Sequence, residues 1–137
     1  MKRTSTAIWK GSGKEGKGTM STASGVLKDQ QYSFVSRFEN GIGTNPEELV
    51  AAAHAGCFSM KLSFVLGVAG LTPDQIMTSC EITLESGTVT SSHLIVKAKV
   101  PGATAEKFKE CAEEAKTACP ISKLLNTQIT LEASLES

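Results

Sequence analysis

Apolar positions along this chain change their period twice, and the changes divide it into three blocks. Up to residue 39 the pattern is a set of short β-prone runs, at residues 6–10, 17–22 and 31–38, broken by Gly-rich and polar turns. Such runs predict strands in a meander or a pair of hairpins. Gly41 and Gly43 then mark a loop. Residues 45–70 follow as one long helix with clear end signals: Asn45 as cap, Pro46 at the first helical position, Glu48 to complete an N-x-x-E box, Gly70 past the end and Pro73 barring resumption. This helix is apolar on nearly every side, so it needs cover all round, from sheets or from a partner helix.

The third block, residues 78–137, opens with strands at 78–85 and 91–100 around a Ser86-Gly87 turn, with Cys80, Ile82 and Leu84 alternating against polar neighbours. After Pro101-Gly102 an amphipathic helix places Phe108, Cys111, Ala112, Ala115 and Cys119 at three- and four-residue steps until Pro120 stops it. A helical turn at 122–125 leads to a last strand in which Ile129, Leu131, Ala133 and Leu135 face one way. The class is α+β. A chain of 137 residues with no repeat and no linker is expected to be one domain, with blocks at 1–39, 45–70 and 78–137.

Charge removes several function classes. The 14 basic residues balance the 14 acidic ones, and no Lys/Arg run interleaves with aromatics, so nucleic acid is not an expected partner. Residues 49–71 approach the length of a membrane span, but His54, Ser59, Lys61 and Ser63 interrupt them, which favours a buried helix of a soluble protein and no membrane partner. The first residues hold two basic side chains with no apolar stretch behind them, so the expected location is the cytoplasm. There, four cysteines without a C-x-x-C pair argue against a disulfide framework or a zinc ribbon and leave core thiols or catalytic ones. A G-x-G-x-x-G at Gly11, Gly13 and Gly16 lacks its context. Gly18 stands where a magnesium-binding hydroxyl belongs, and a β-prone run follows instead of a helix, so this is a hairpin turn.

The cysteines differ in their neighbours. Cys80 and Cys111 sit on apolar phases, where a small hydrophobe suits packing. Cys119 fits an apolar phase too, but at a helix end beside a proline, and its position alone leaves structure and function both open. Cys57 has His54 three residues before it and Lys61 four after, on one side of the helix, where either cation lowers a thiol pKa. The plainer reading has Lys61 snorkelling and His54 bonding a carbonyl. Glu47 shares this broad face, but ten residues at about 1.5 Å each put it roughly 15 Å away along the axis. A partner subunit with its central helix antiparallel is the simplest way to bring the two together.

The segment GTNPEELVAAAHAGCFSM and the later ACPISKLL resemble the osmotically inducible protein C (OsmC) and organic hydroperoxide resistance (Ohr) family over essentially the whole chain. GKGTMSTASGVL, YSFVSRFE and the His54 of AAHAGC resemble its OsmC branch more than its Ohr branch. That resemblance implies an OsmC-like fold, antiparallel sheets wrapped around a long central helix in an intertwined homodimer with shared active sites. It also implies a thiol peroxidase that reduces organic hydroperoxides, and hydrogen peroxide more weakly, in oxidative and osmotic stress defence. Cys57 matches the peroxidatic cysteine, Cys119 the resolving cysteine, Arg37 the activating arginine and Glu47 the acid that pairs with it bidentately. His54 and Lys61 match no family catalytic position and stand as supporting neighbours. No cofactor and no metal are implied, and the disulfide is to be reopened by an external dithiol of lipoyl type. Phe38, Ile42 and Phe58 are candidate pocket lining. Two rival readings make the chain a non-catalytic stress-related dimer or a metal- or small-ligand-binding protein, with His54, Cys57 and Cys119 as zinc ligands.

Overall fold

The computed structural model describes residues 1–136, which form two compact units, one ending at Leu49 and the other starting at Val50. In the first unit β1 (Ser5–Lys10), β2 (Lys17–Thr22) and β3 (Gln30–Tyr32) make an antiparallel meander, and a short helix α1 (Phe34–Phe38) follows. The G-x-G-x-x-G segment is the loop of the β1–β2 hairpin. The Trp9 indole N–H reaches the Gly11 and Ser12 carbonyls at 3.2 Å each, and the Gly16 N–H bonds Ser12 O at 2.8 Å. Gly18 has a steric reason of its own. It lies between its cross-strand neighbours Trp9 and Tyr32, and a Cβ there would stand 2.6 Å from both rings. The missing side chain lets those rings approach to 5.3 Å between centroids.

Residues 31–38, expected as a strand, are the first departure from the sequence reading: the strand ends at Tyr32 and α1 begins at Phe34. Ser33 and Ser36 form a reciprocal capping box, Ser33 Oγ accepting from Ser36 N and Ser36 Oγ accepting from Ser33 N at 2.8 Å. Two hydroxyls thus outweigh the β preference of the aromatic and β-branched residues around them. Ser36 Oγ also donates to Thr44 O, and Asn45 Nδ2 donates to Ser36 O, which fixes α1 against the start of the next helix.

That helix, α2 (Pro46–Val68), begins and ends close to the expected places. Asn45 Oδ1 accepts from Glu48 N at 2.8 Å, but the Glu48 carboxylate takes the Thr44 hydroxyl at 2.7 Å, a variation on the expected box. Gly70, at φ +79°, closes the helix: its own N–H reaches Gly67 O and the Leu71 N–H reaches Leu66 O, the paired bonds of a Schellman ending.

The second unit has β4 (Gln75–Glu85), β5 (Thr88–Lys99) and β6 (Gln128–Glu136) in the order β4-β5-β6, with α3 (Ala105–Ala118) and α4 (Pro120–Leu124) between β5 and β6. Ser86 and Gly87, both at positive φ, turn β4 into β5. β6 runs parallel to β5, so the antiparallel sheet expected throughout is mixed here, because a helical crossover returns the chain to the end of the sheet at which β5 begins. Pro120 ends α3 and also opens α4 at its first position.

The core joins Phe58, Leu62 and Leu66 of α2 to Leu94, Val96 and Ala98 of β5 and to Phe108, Ala112 and Ala115 of α3. One face of α2 is therefore occupied within this unit. Its other apolar face is open: Met60, Phe64 and Val68, spaced four apart, are 66%, 64% and 93% exposed. The second unit by itself does not supply the all-round cover that the composition of this helix demands.

Candidate functional site

α2 carries Cys57 toward the core, and Cys119 forms the joint between α3 and α4, where it is fully buried with φ −59° and ψ 126°. Its backbone is held on both sides, Cys119 N bonding Ala115 O and Cys119 O accepting from Lys123 N. The two sulfurs, 62 residues apart in sequence, stand 2.9 Å from each other as free thiols. A disulfide would draw them in to about 2.05 Å.

Burial, and then the adjoining Cys119 thiol, push the Cys57 pKa up, while the Ile121 backbone amide and the Lys61 ammonium pull it down. Lys61 thus acts in the direction expected of it. His54 does not, since its ring is fully buried and burial lowers its pKa, which leaves it neutral. Its Nδ1 lies 2.6 Å from Ser92 Oγ and its Nε2 2.8 Å from Ser122 Oγ. With both nitrogens engaged by hydroxyls, the ring has none left for zinc, which removes the set His54, Cys57 and Cys119 from consideration.

Cys80 and Cys111 behave as core residues. Burial raises both pKa values, and Cys80 Sγ rests 3.2 Å from Ser92 Oγ.

In the first unit Arg37, from α1, meets Glu47, from the first turn of α2. Both the Arg37 Nε–H and a terminal guanidinium N–H donate to Glu47 Oε1, at 2.8 and 2.7 Å. The pairing is two donors on one oxygen, not the expected fork on two, and Glu47 Oε2 is buried with no partner among the described residues. The structure therefore brings Arg37 to Glu47 in one unit and Cys57 to Cys119 in the other.

Beside Arg37 is a concavity of about 300 Å³ lined by Trp9, Tyr32, Phe34, Arg37 and Phe38. The Phe34 and Phe38 rings are 4.9 Å apart, and the Arg37 guanidinium lies 5.1 Å over the Phe38 ring. Of the residues expected as lining, Phe38 takes part, Ile42 borders a different hollow with Lys17 and Gln31, and Phe58 is buried in the core. A larger hollow of about 620 Å³ over β5, β6 and α3, edged by Lys97, Lys109, Glu113 and Glu132, contains no cysteine. Sequence reasoning missed Trp9, Tyr32 and Phe34, for which the small residue at Gly18 between two aromatic strand positions is the available signal. It also missed Ser92 and Ser122, for which pattern alone offers none.

A family described as OsmC-like protein matches residues 39–134, a span that includes Glu47, Cys57 and Cys119. The chain is 47% identical over 135 residues to the Peroxiredoxin OsmC of Escherichia coli (strain K12), covering 96% of this chain and 94% of that protein, and equally so to that of Shigella flexneri. Among solved structures it resembles an OsmC-like protein from Mycoplasma pneumoniae (TM-score 0.78, 12% identity, 100% and 99% of the two chains). It also resembles the organic hydroperoxide resistance protein OhrB of Bacillus subtilis (TM-score 0.65, 23% identity, 97% and 98%). With two sheets, a long helix and a facing thiol pair built from a sequence this close to its relatives, the chain belongs to the OsmC-like protein family.

Proposed function

We propose that this protein is a thiol peroxidase that reduces organic hydroperoxides, with residues 1–137 as a single OsmC-like domain and Cys57, Cys119, Arg37 and Glu47 as its catalytic set. The observation that carries the reading is the 2.9 Å separation of Cys57 and Cys119 at the joint of two helices. The Cys57 thiolate attacks one peroxide oxygen, the O–O bond breaks, and the alkoxide takes a proton to leave as alcohol with Cys57 as sulfenic acid. Cys119 then attacks the Cys57 sulfur and releases water, so the two electrons that reduce the peroxide come from two thiols. An external dithiol, of lipoyl type in this reading, reopens the disulfide by exchange. A cycle that depends on regenerated thiols fits the cytoplasm.

Burial works against a reactive Cys57, so a cation is needed beside it. Arg37, held by Glu47, is that cation in our reading. The aromatic hollow at Arg37 supports preference for alkyl-bearing peroxides over hydrogen peroxide, since it offers apolar contact next to the charge.

The open α2 face supports the homodimer. Packing of a second copy's α2 on Met60, Phe64 and Val68 covers that face, and the dimer in our reading is what supplies the Arg37–Glu47 pair of one subunit to the partner's Cys57. Light scattering tests it: the wild type is expected at twice the chain mass, and Phe64→Glu at the chain mass with peroxidase activity lost. A wild type that stays monomeric at micromolar concentration refutes the shared site.

The chemistry is tested by treating reduced protein with one equivalent of cumene hydroperoxide and mapping its peptides by mass spectrometry, with hydrogen peroxide in parallel. A Cys57–Cys119 bond that forms faster with the organic peroxide is the expected result. Thiols that remain reduced, or oxidise at random among the four cysteines, exclude it.

A further inference from the structure

The ring of His54 is the largest buried polar side chain that the peroxidase cycle leaves without a task. It is fully enclosed, one helical turn before Cys57, and its two nitrogens reach to two different elements. Ser92, on β5, takes Nδ1. Ser122, in the first turn of α4, takes Nε2. Serine hydroxyls both donate and accept, so a neutral imidazole is satisfied whichever nitrogen carries the proton.

The Ser122 bond joins the helix of one cysteine to the turn that follows the other. α4 is only five residues long and has no side-chain cap from Cys119 at its start. Its first turn nevertheless holds two groups that act on Cys57: the Cys119 sulfur at 2.9 Å and the Ile121 amide. A short uncapped helix frays easily, and fraying here would carry Cys119 away from the sulfur it must attack.

We propose that His54 is a positioning residue for disulfide formation: through Ser122 it pins the start of α4 to α2, so that Cys119 captures the Cys57 sulfenic acid before a second peroxide does. This rests on the reading of Cys57 and Cys119 as the redox pair. The captured sulfenic acid loses its hydroxyl as water, whereas an uncaptured one is oxidised further to sulfinic acid and is lost to the cycle.

The test is a quenched time course of reduced protein with cumene hydroperoxide, scored by peptide mapping for the disulfide and for Cys57 sulfinic acid. In Ser122→Ala, closure of the disulfide is expected to slow about five- to tenfold, the scale of one lost neutral hydrogen bond, with more sulfinic acid at excess peroxide. Consumption of the first equivalent is expected to stay at the wild-type rate. Ser122→Thr, which keeps the hydroxyl, restores closure. Ser92→Ala removes the bond on the other nitrogen, and it lowers thermal stability without slowing closure. Wild-type closure in a folded Ser122→Ala protein overturns the proposal, as does equal slowing in Ser92→Ala, which would mean general loosening of the core. A wild type that forms no Cys57–Cys119 bond refutes the redox reading itself, and so separates the two failures.

Discussion

Cys57→Ser is expected to abolish hydroperoxide consumption, with a loss of three orders of magnitude or more, the scale seen when a covalent nucleophile is deleted. A serine hydroxyl ionises far too weakly to attack peroxide at neutral pH and has no counterpart of the sulfenic acid that stores the reaction's first half. The substitution changes one atom at a partly exposed helix position whose inward neighbours Phe58 and Leu62 remain, so folding is expected to be retained. Cys80→Ser and Cys111→Ser serve as controls with activity kept, since their thiols are held in packing roles and pushed toward the neutral form by burial. Substantial peroxide consumption by Cys57→Ser, measured by loss of cumene hydroperoxide under excess dithiol, would remove the mechanism entirely.

Arg37→Ala is expected to have the next largest effect, about 10²- to 10³-fold on peroxide reduction, the usual cost of removing a preorganised charge from a site where negative charge develops. The sign for the thiol follows from its surroundings. Burial already raises the Cys57 pKa, and if Arg37 is the cation proposed above its deletion raises it further, so the pH profile of Cys57 alkylation is expected to move to higher pH. Arg37→Lys is expected to recover only part of the rate, because a single ammonium cannot reproduce the two N–H donors of the guanidinium on Glu47 Oε1. An alkylation profile identical to the wild type, measured with iodoacetamide from pH 5 to 9, counts against any action of Arg37 on this thiol.

Much of this was legible from the chain. The α2 boundaries were written in Asn45, Pro46 and Gly70, each of which does the local job its chemistry suits it for. The strand phases of β4 and β6 followed from simple alternation. What pattern missed was decided by contacts between distant residues. The helical state of Phe34–Phe38 depends on the Ser33–Ser36 box and on bonds to Thr44 and Asn45, while its own residues favour a strand. The parallel direction of β6 depends on where α3 and α4 deliver the chain, which no local window records.

The site divides in the same way. Cys57 stood out through its helix neighbours, but Cys119 acquired meaning only from the family resemblance, because a helix-end thiol is ambiguous alone. For His54 the sequence left two readings open, a cation near a thiol and a plainer hydrogen-bonding ring, and complete burial favours the second, making it a link between α2, β5 and α4. Charge at a histidine is a property of its surroundings, and those surroundings were assembled from residues 38 and 68 positions away.

The facing thiols come from positions 62 residues apart, and between them lie β4, β5 and all of α3. A bond closed there ties most of the second unit into one covalent ring. In the chain-entropy account such a ring removes about 4 kcal/mol of freedom from the unfolded chain. The proposed cycle would therefore also alternate the protein between two degrees of resistance to unfolding: each peroxide consumed would leave it in its sturdier form, and each reduction would return it to the looser one. Under oxidant stress, when reductant is scarce and proteins are most at risk of damage, that proposed chemistry would shift the population toward the cross-linked state.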